Sequence, residues 1–168
     1  MRNTILIVLI LLQFSCNYSS KNYTQTILEN KTINTDFLNS IEAPEKALLS
    51  WYLFAYGNEC IQQSEKVKCN LLKLLEIEDE CSEAHISYLK KWFSSDVIIQ
   101  MKLRKCPNLP YTSVTQNSIE KIVLQRRSDT LSIIFKVSGM NTLQEKFWNI
   151  EQEESFLIKR SELIKINR

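Results

Sequence analysis

The chain has 168 residues, with 21 lysines and arginines against 19 aspartates and glutamates, for a formal net charge of +2. Nothing in that near-balance argues for nucleic acid or for steering of highly charged ligands. Two glycines and three prolines are too few for a many-turned β sandwich, while the length suits one domain able to bury a core.

The chain opens with Arg2, an unbroken Ile/Leu/Val run from Ile5 to Leu12, and Gln13-Phe14-Ser15 leading into Cys16. A membrane-spanning helix needs roughly 20 apolar residues, so this shorter run predicts a signal peptide over residues 1–15, cut before Cys16. Its removal takes away Arg2 alone among the charges and leaves the remainder near neutral.

The stretch Leu12-Gln13-Phe14-Ser15-Cys16 resembles the lipobox of bacterial lipoproteins, whose cysteine receives a diacylglyceryl group and then an N-acyl chain. Gln13 stands where an aliphatic residue is usual, a departure common among lipoproteins of Bacteroidota. The resemblance implies lipidation of Cys16, membrane lipid as a partner, and a place in the bacterial cell envelope. Several acyl chains hold a bilayer firmly where one is marginal. The lack of acids just after Cys16 points to a periplasm-facing anchor.

Residues 16–42 are rich in Asn, Ser, Thr and Lys, without a sustained apolar period, and are expected to form a flexible tether. The folded domain is then expected over residues 43–168. Pro44 suits the first turn of a helix running to Tyr56. Leu48, Trp51, Tyr52 and Ala55 form one apolar face, with Leu49, Leu53 and Tyr56 forming a second, so this helix must be covered on several sides.

Leu71, Leu72, Leu74 and Leu75 suggest a short helix, followed by acids from Glu76 to Glu83 that read as a solvated loop. Ser82 then caps a helix carrying Ile86, Leu89, Trp92 and Phe93. Ser94-Ser95-Asp96 gives a fresh capping signal, which predicts a break and another helix over about 96–105. Pro107 and Pro110 close the helical half.

After Cys16 there are four cysteines: Cys60, Cys69, Cys81 and Cys106. An even number in an exported chain reads as two disulfides, and their separations lack the tight spacing of a zinc site. Three pairings are open; Cys60–Cys69 and Cys81–Cys106 are favoured. A single continuous helix would hold Cys81 and Cys106 about 37 Å apart, whereas two helices folded back as a hairpin bring them together.

From Ser118 the period changes to two. Leu131, Ile133, Phe135 and Val137 alternate with Ser132, Ile134, Lys136 and Ser138, a half-buried strand. It lies among strands expected over Ile119–Arg127, Thr142–Ile150 and Ser155–Ile166, with Glu151 to Glu154 read as a polar turn. The expectation is an α+β domain: three to four N-terminal helices, then a four-stranded antiparallel curved sheet.

That order, with Trp51-Tyr52 in the first helix, the break at Trp92-Phe93-Ser94-Ser95, and strands like Lys146–Ile150 and Phe156–Lys159, resembles the cystatin-like superfamily typified by nuclear transport factor two. The resemblance implies a sheet wrapped around a long helix to leave a cone-shaped cavity. Trp51, Tyr52, Trp92 and Trp148 are candidates to line it.

No phosphate-cradling glycine loop, nucleophile elbow or metal-ligand cluster is present, so no metal, cofactor or catalytic residue is expected. His85 is the only histidine, on a helix turn beside Ile86. Lys102, Arg104, Lys105, Lys121, Arg126 and Arg127 read as a solvated helix face and a strand edge. The expected function is that of a non-catalytic binding module of the envelope, taking a small apolar ligand or a protein partner and no nucleic acid. An immunity or inhibitor protein is the first alternative. A hydrolase or isomerase is the second, favoured by a cavity that joins His85 to an Asp or Glu.

Overall fold

The computed structural model describes residues 21–56, 67–77, 81–106 and 115–166. Its spine is a long antiparallel pair, β3 (Thr115–Arg127) and β4 (Thr130–Asn141). Register sets Ile122 beside Phe135 and Leu124 beside Ile133, so one face of the pair is continuously apolar. Leu131, Ile133, Phe135 and Val137 are all buried on it, as the alternation predicts. A bulge lies between Ile119 and Lys121 and keeps Ile119 on that face opposite Val137.

β5 (Lys146–Lys159) pairs with β4, and β6 (Glu162–Ile166) with β5. The other side of β3 is taken by β1 (Asn22–Glu29), which is followed by the short β2 (Thr32–Ile33). The sheet is antiparallel throughout, in the order β2-β1-β3-β4-β5-β6. Five helices of the described residues fall between β2 and β3: α1 (Thr35–Leu38), α2 (Ala43–Tyr56), α3 (Val67–Leu74), α4 (Glu83–Trp92) and α5 (Val97–Leu103).

The architecture is α+β, but not the expected four strands after N-terminal helices. The described residues form six strands, and two of them precede the helices. β1 and β2 lie inside the stretch expected to be tether, so the helix-first order behind the cystatin-like cone is absent. β1 is polar at most positions, and its pairing supplies the order that composition does not. It buries only Ile27 and Leu28, while its Thr and Tyr residues suit a half-buried strand. Asn30 and Lys31, both at positive φ, make the two-residue turn between Glu29 and Thr32.

The second correction concerns Glu151 to Glu154. These residues are not a turn; β5 runs straight through them, and the chain reverses at Arg160 and Ser161. Alternation explains their tolerance. Glu151 and Glu153 face solvent, whereas Gln152 and Glu154 point toward α2, where Tyr56 donates to Gln152 and Tyr52 to Glu154 (2.5 Å). Lys165 closes the other Glu154 oxygen at 2.6 Å.

α2 lies on the apolar face of the sheet, with Ala47 to Phe54 buried throughout, which answers the two apolar faces read in it. α3 ends in a Schellman turn: Ile77 N–H donates to the Leu72 carbonyl at 2.8 Å, with Glu76 at positive φ. Ser82 and Asp96 cap α4 and α5 at the expected positions. The two helices fold back on each other, and Cys81 is disulfide-bonded to Cys106 with their Cα atoms 5.7 Å apart. Cys69 is also disulfide-bonded. Its favoured partner Cys60, and the lipidation candidate Cys16, lie outside the described residues.

Candidate functional site

Glu45 in the first turn of α2, and Glu42 just before that helix, meet the sheet. Arg126 Nη1 donates to Glu45 Oε1 at 2.6 Å and to Glu42 Oε2 at 2.8 Å. Tyr23 of β1 donates to the same Glu45 oxygen at 2.8 Å, and Lys21 to Glu42 Oε1 at 2.6 Å. Burial works against the Arg126 charge, but the hydrogen bonds to Glu42 and Glu45 outweigh it and raise its pKa. Hydrogen bonds from Lys21, then Arg126, hold the Glu42 carboxyl below its usual range. Burial, then the bond to Glu45, pushes the Tyr23 phenol up. Glu45 Oε2 is buried with no hydrogen-bond partner among the described residues.

Beside this cluster, α2, the end of α3 and α4 enclose an open pocket of about 930 Å³. Ile41, Ala43, Ile77, Ala84 and Tyr88 give it apolar walls. Glu42, Lys46, Lys73 and Glu76 add charge, and Lys46 pairs with Glu76 at 2.9 Å. Tyr88 donates to the Ala43 carbonyl at 2.8 Å, which ties α4 to the start of α2. Burial raises the Tyr88 pKa to about 12, so at neutral pH the hydroxyl stays a donor. His85, itself buried, lines the same pocket as Glu42 and Glu76.

The four aromatic candidates do not meet in one cavity. Trp51 is buried against Phe54 and Phe93, with the Lys102 ammonium 5.7 Å from its ring centre. Tyr52 lies on Phe135 with ring centres 5.3 Å apart. Trp92 meets Tyr88 edge-on. Trp148, half-buried at the far end of β5, covers Gly139, donates to Asn117 Oδ1 at 3.2 Å, and borders a shallow cleft with Phe147 and Met140. Among the described residues no group of three or more His, Cys, Asp and Glu is placed to hold a metal ion, and no helix is long and apolar enough to cross a membrane.

Sequence reasoning missed Glu45 and Arg126, and treated Arg126 as part of an exposed basic run. The strand period contained the signal: Arg126 is in phase with Ile122 and Leu124, whereas Arg127 points outward. The basic run divides accordingly. Arg126 is buried in the cluster, Lys121 pairs with Glu29 across the sheet at 2.7 Å, and Arg104 and Lys105 lie exposed at the end of α5. No family model matches the chain, and neither a curated protein nor a solved structure matches it.

Proposed function

We propose that this chain is an exported lipoprotein of the bacterial cell envelope, anchored through Cys16, that binds a small ligand in the pocket between α2, α3 and α4. The observation that carries the binding reading is the shape and lining of that pocket. Its volume lies in the range of small-molecule sites, its walls are mainly apolar, and its charges are two lysines, Lys46 and Lys73, and two glutamates, Glu42 and Glu76. A ligand with an apolar body and one anionic group fits this lining. The disulfide between Cys81 and Cys106 suits an oxidising compartment and so supports export.

Anilinonaphthalene sulfonate has those two parts and tests the site. Ala84→Trp fills the pocket from an exposed position, so it should abolish probe binding while leaving the melting temperature near that of the parent. Probe binding that survives Ala84→Trp unchanged rejects this pocket as the ligand site. Acylation is read separately, by mass spectrometry of the mature N-terminal peptide.

One observation favours a second reading, a hydrolase or isomerase: His85 shares the pocket with Glu42 and Glu76. Both carboxylates are engaged, Glu42 by Lys21 and Arg126 and Glu76 by Lys46, which favours binding over general-base chemistry. Turnover of ester or enolisable substrates that His85→Gln abolishes in a folded protein would reverse that preference.

A further inference from the structure

One end of the sheet gathers the chain entry and three turns. The Lys21 carbonyl accepts from Ser128 N–H at 3.2 Å, which places the start of β1 at the turn between β3 and β4. Ile158 N–H donates to the Asp129 carbonyl at 2.7 Å, and Lys159 pairs with Glu162, so the turn between β5 and β6 lies there too. Ser94 Oγ and Ser95 N–H both donate to Glu162 Oε1, at 2.7 and 2.9 Å, and bring the α4–α5 connection to the same end.

α5 starts at this end with three of its five apolar residues on the side away from the core. Ile99 and Leu103 face inward, while Val97, Ile98 and Met101 are 70%, 69% and 55% exposed. Helical spacing puts Arg104 and Lys105 on that outer face as well. On the elements that reach the same end, Lys90, Lys91, Arg127, Lys159 and Arg160 are all exposed. The acids nearby are Asp96, Asp129 and Glu162; Asp96 caps α5 by accepting from Ile99 N–H at 3.0 Å, and Glu162 is already held by Ser94 and Ser95. Exposed apolar side chains with an excess of cations at the same end complement an anionic lipid surface, where apolar side chains enter the headgroup boundary and lysines and arginines meet phosphate.

We infer that this end of the domain, with Val97 and Ile98 at its tip, docks on an anionic phospholipid bilayer. The inference rests on the lipid anchor, because the anchor selects which end faces the membrane. β1 begins at Asn22, so only five links separate Cys16 from Lys21, and they reach at most about 18 Å. The turn at Leu143 also exposes apolar side chains, but it lies at the opposite end of β4, roughly 35 Å away. A short link at Lys21 holds the α5 end against the bilayer and the Leu143 end away from it.

Photo-crosslinking of the full acylated protein in phosphatidylethanolamine–phosphatidylglycerol vesicles tests this. Ile98→p-benzoylphenylalanine should give phospholipid adducts and Leu143→p-benzoylphenylalanine should not. Omitting phosphatidylglycerol should lower the yield at position 98 severalfold. Adducts at position 143, at neither position, or on an envelope protein at position 98 would overturn the docking while Cys16 acylation stood. If the N-terminal peptide proves unacylated, the anchor reading fails by itself. Adducts at position 98 on anionic vesicles would then still support docking, and their absence would overturn it.

Discussion

Arg126 and Glu45 form an ion pair at 2.6 Å with side chains only 3% and 2% exposed, joining the sheet to the first turn of α2. Removing one partner strands the other charge in the core, a loss of roughly 3–5 kcal/mol. Arg126→Met and Glu45→Leu are each expected to destabilise by about that much. The double variant should recover at least about 1 kcal/mol, since the two positions are coupled. Urea denaturation of the four proteins checks this; additive losses would show that the pair does not act as a unit.

Two hydrogen-bonded carboxyls, Glu42 of this cluster and Glu162 of β6, shape the acid side of stability. Hydrogen bonds from Lys21 and Arg126 depress the Glu42 pKa in the folded state, and those from Ser94 and Ser95 depress that of Glu162. A depressed carboxyl favours folding above its unfolded value of about 4.3, and that contribution disappears as pH falls through the folded pKa. Thermal melts should therefore fall below about pH 4.3. Glu42→Gln together with Glu162→Gln should flatten that decline.

On the alkaline side the sign reverses. Tyr23, Tyr52 and Tyr88 all have raised pKa values, first from burial; bonds to Glu45 and Glu154 add to this for Tyr23 and Tyr52. Their contribution is intact below the unfolded value of about 10 and is lost as pH rises above it. Phenolate absorbance from these three should appear only as the protein unfolds. Full ionisation near pH 10 in the folded state would contradict their placement.

Trp51→Ala and Trp148→Ala should differ. Trp51 is packed among Phe54, Phe93 and the Lys102 side chain, so its truncation should cost roughly 3–5 kcal/mol. Trp148 is half-buried at the end of the sheet, and its truncation should cost less than half as much. Equal losses would mean that Trp148 is a core residue.

Gly139 is required by close approach. A Cβ there would lie 2.3 Å from Trp148 ring atoms and 2.5 Å from Asn117 Oδ1. Gly139→Ala should push the indole off the sheet, break its bond to Asn117 and cost about 1–3 kcal/mol. Red-shifted tryptophan emission would report the displacement, and an unchanged spectrum would argue against the contact.

Features set by neighbours in the chain were legible in the sequence. Strict alternation over Leu131–Val137 identified the inward face of β4, and capping at Ser82 and Asp96 placed the α4–α5 break. That break made the Cys81–Cys106 bond geometrically possible. Features set by partners distant in the chain were not. β1 has too few apolar residues to announce a strand, and it is ordered by hydrogen bonding to β3 about a hundred residues later. Glu151 to Glu154 look like a turn until Tyr52 and Tyr56 arrive from α2 to satisfy the inward pair. Arg126 looks like a surface cation until Glu42 and Glu45 enclose it, because a charge can be buried only where the fold delivers its counter-charge. The pocket beside them belongs to the same class: local periodicity shapes each helix, but only their packing leaves the space between α2, α3 and α4.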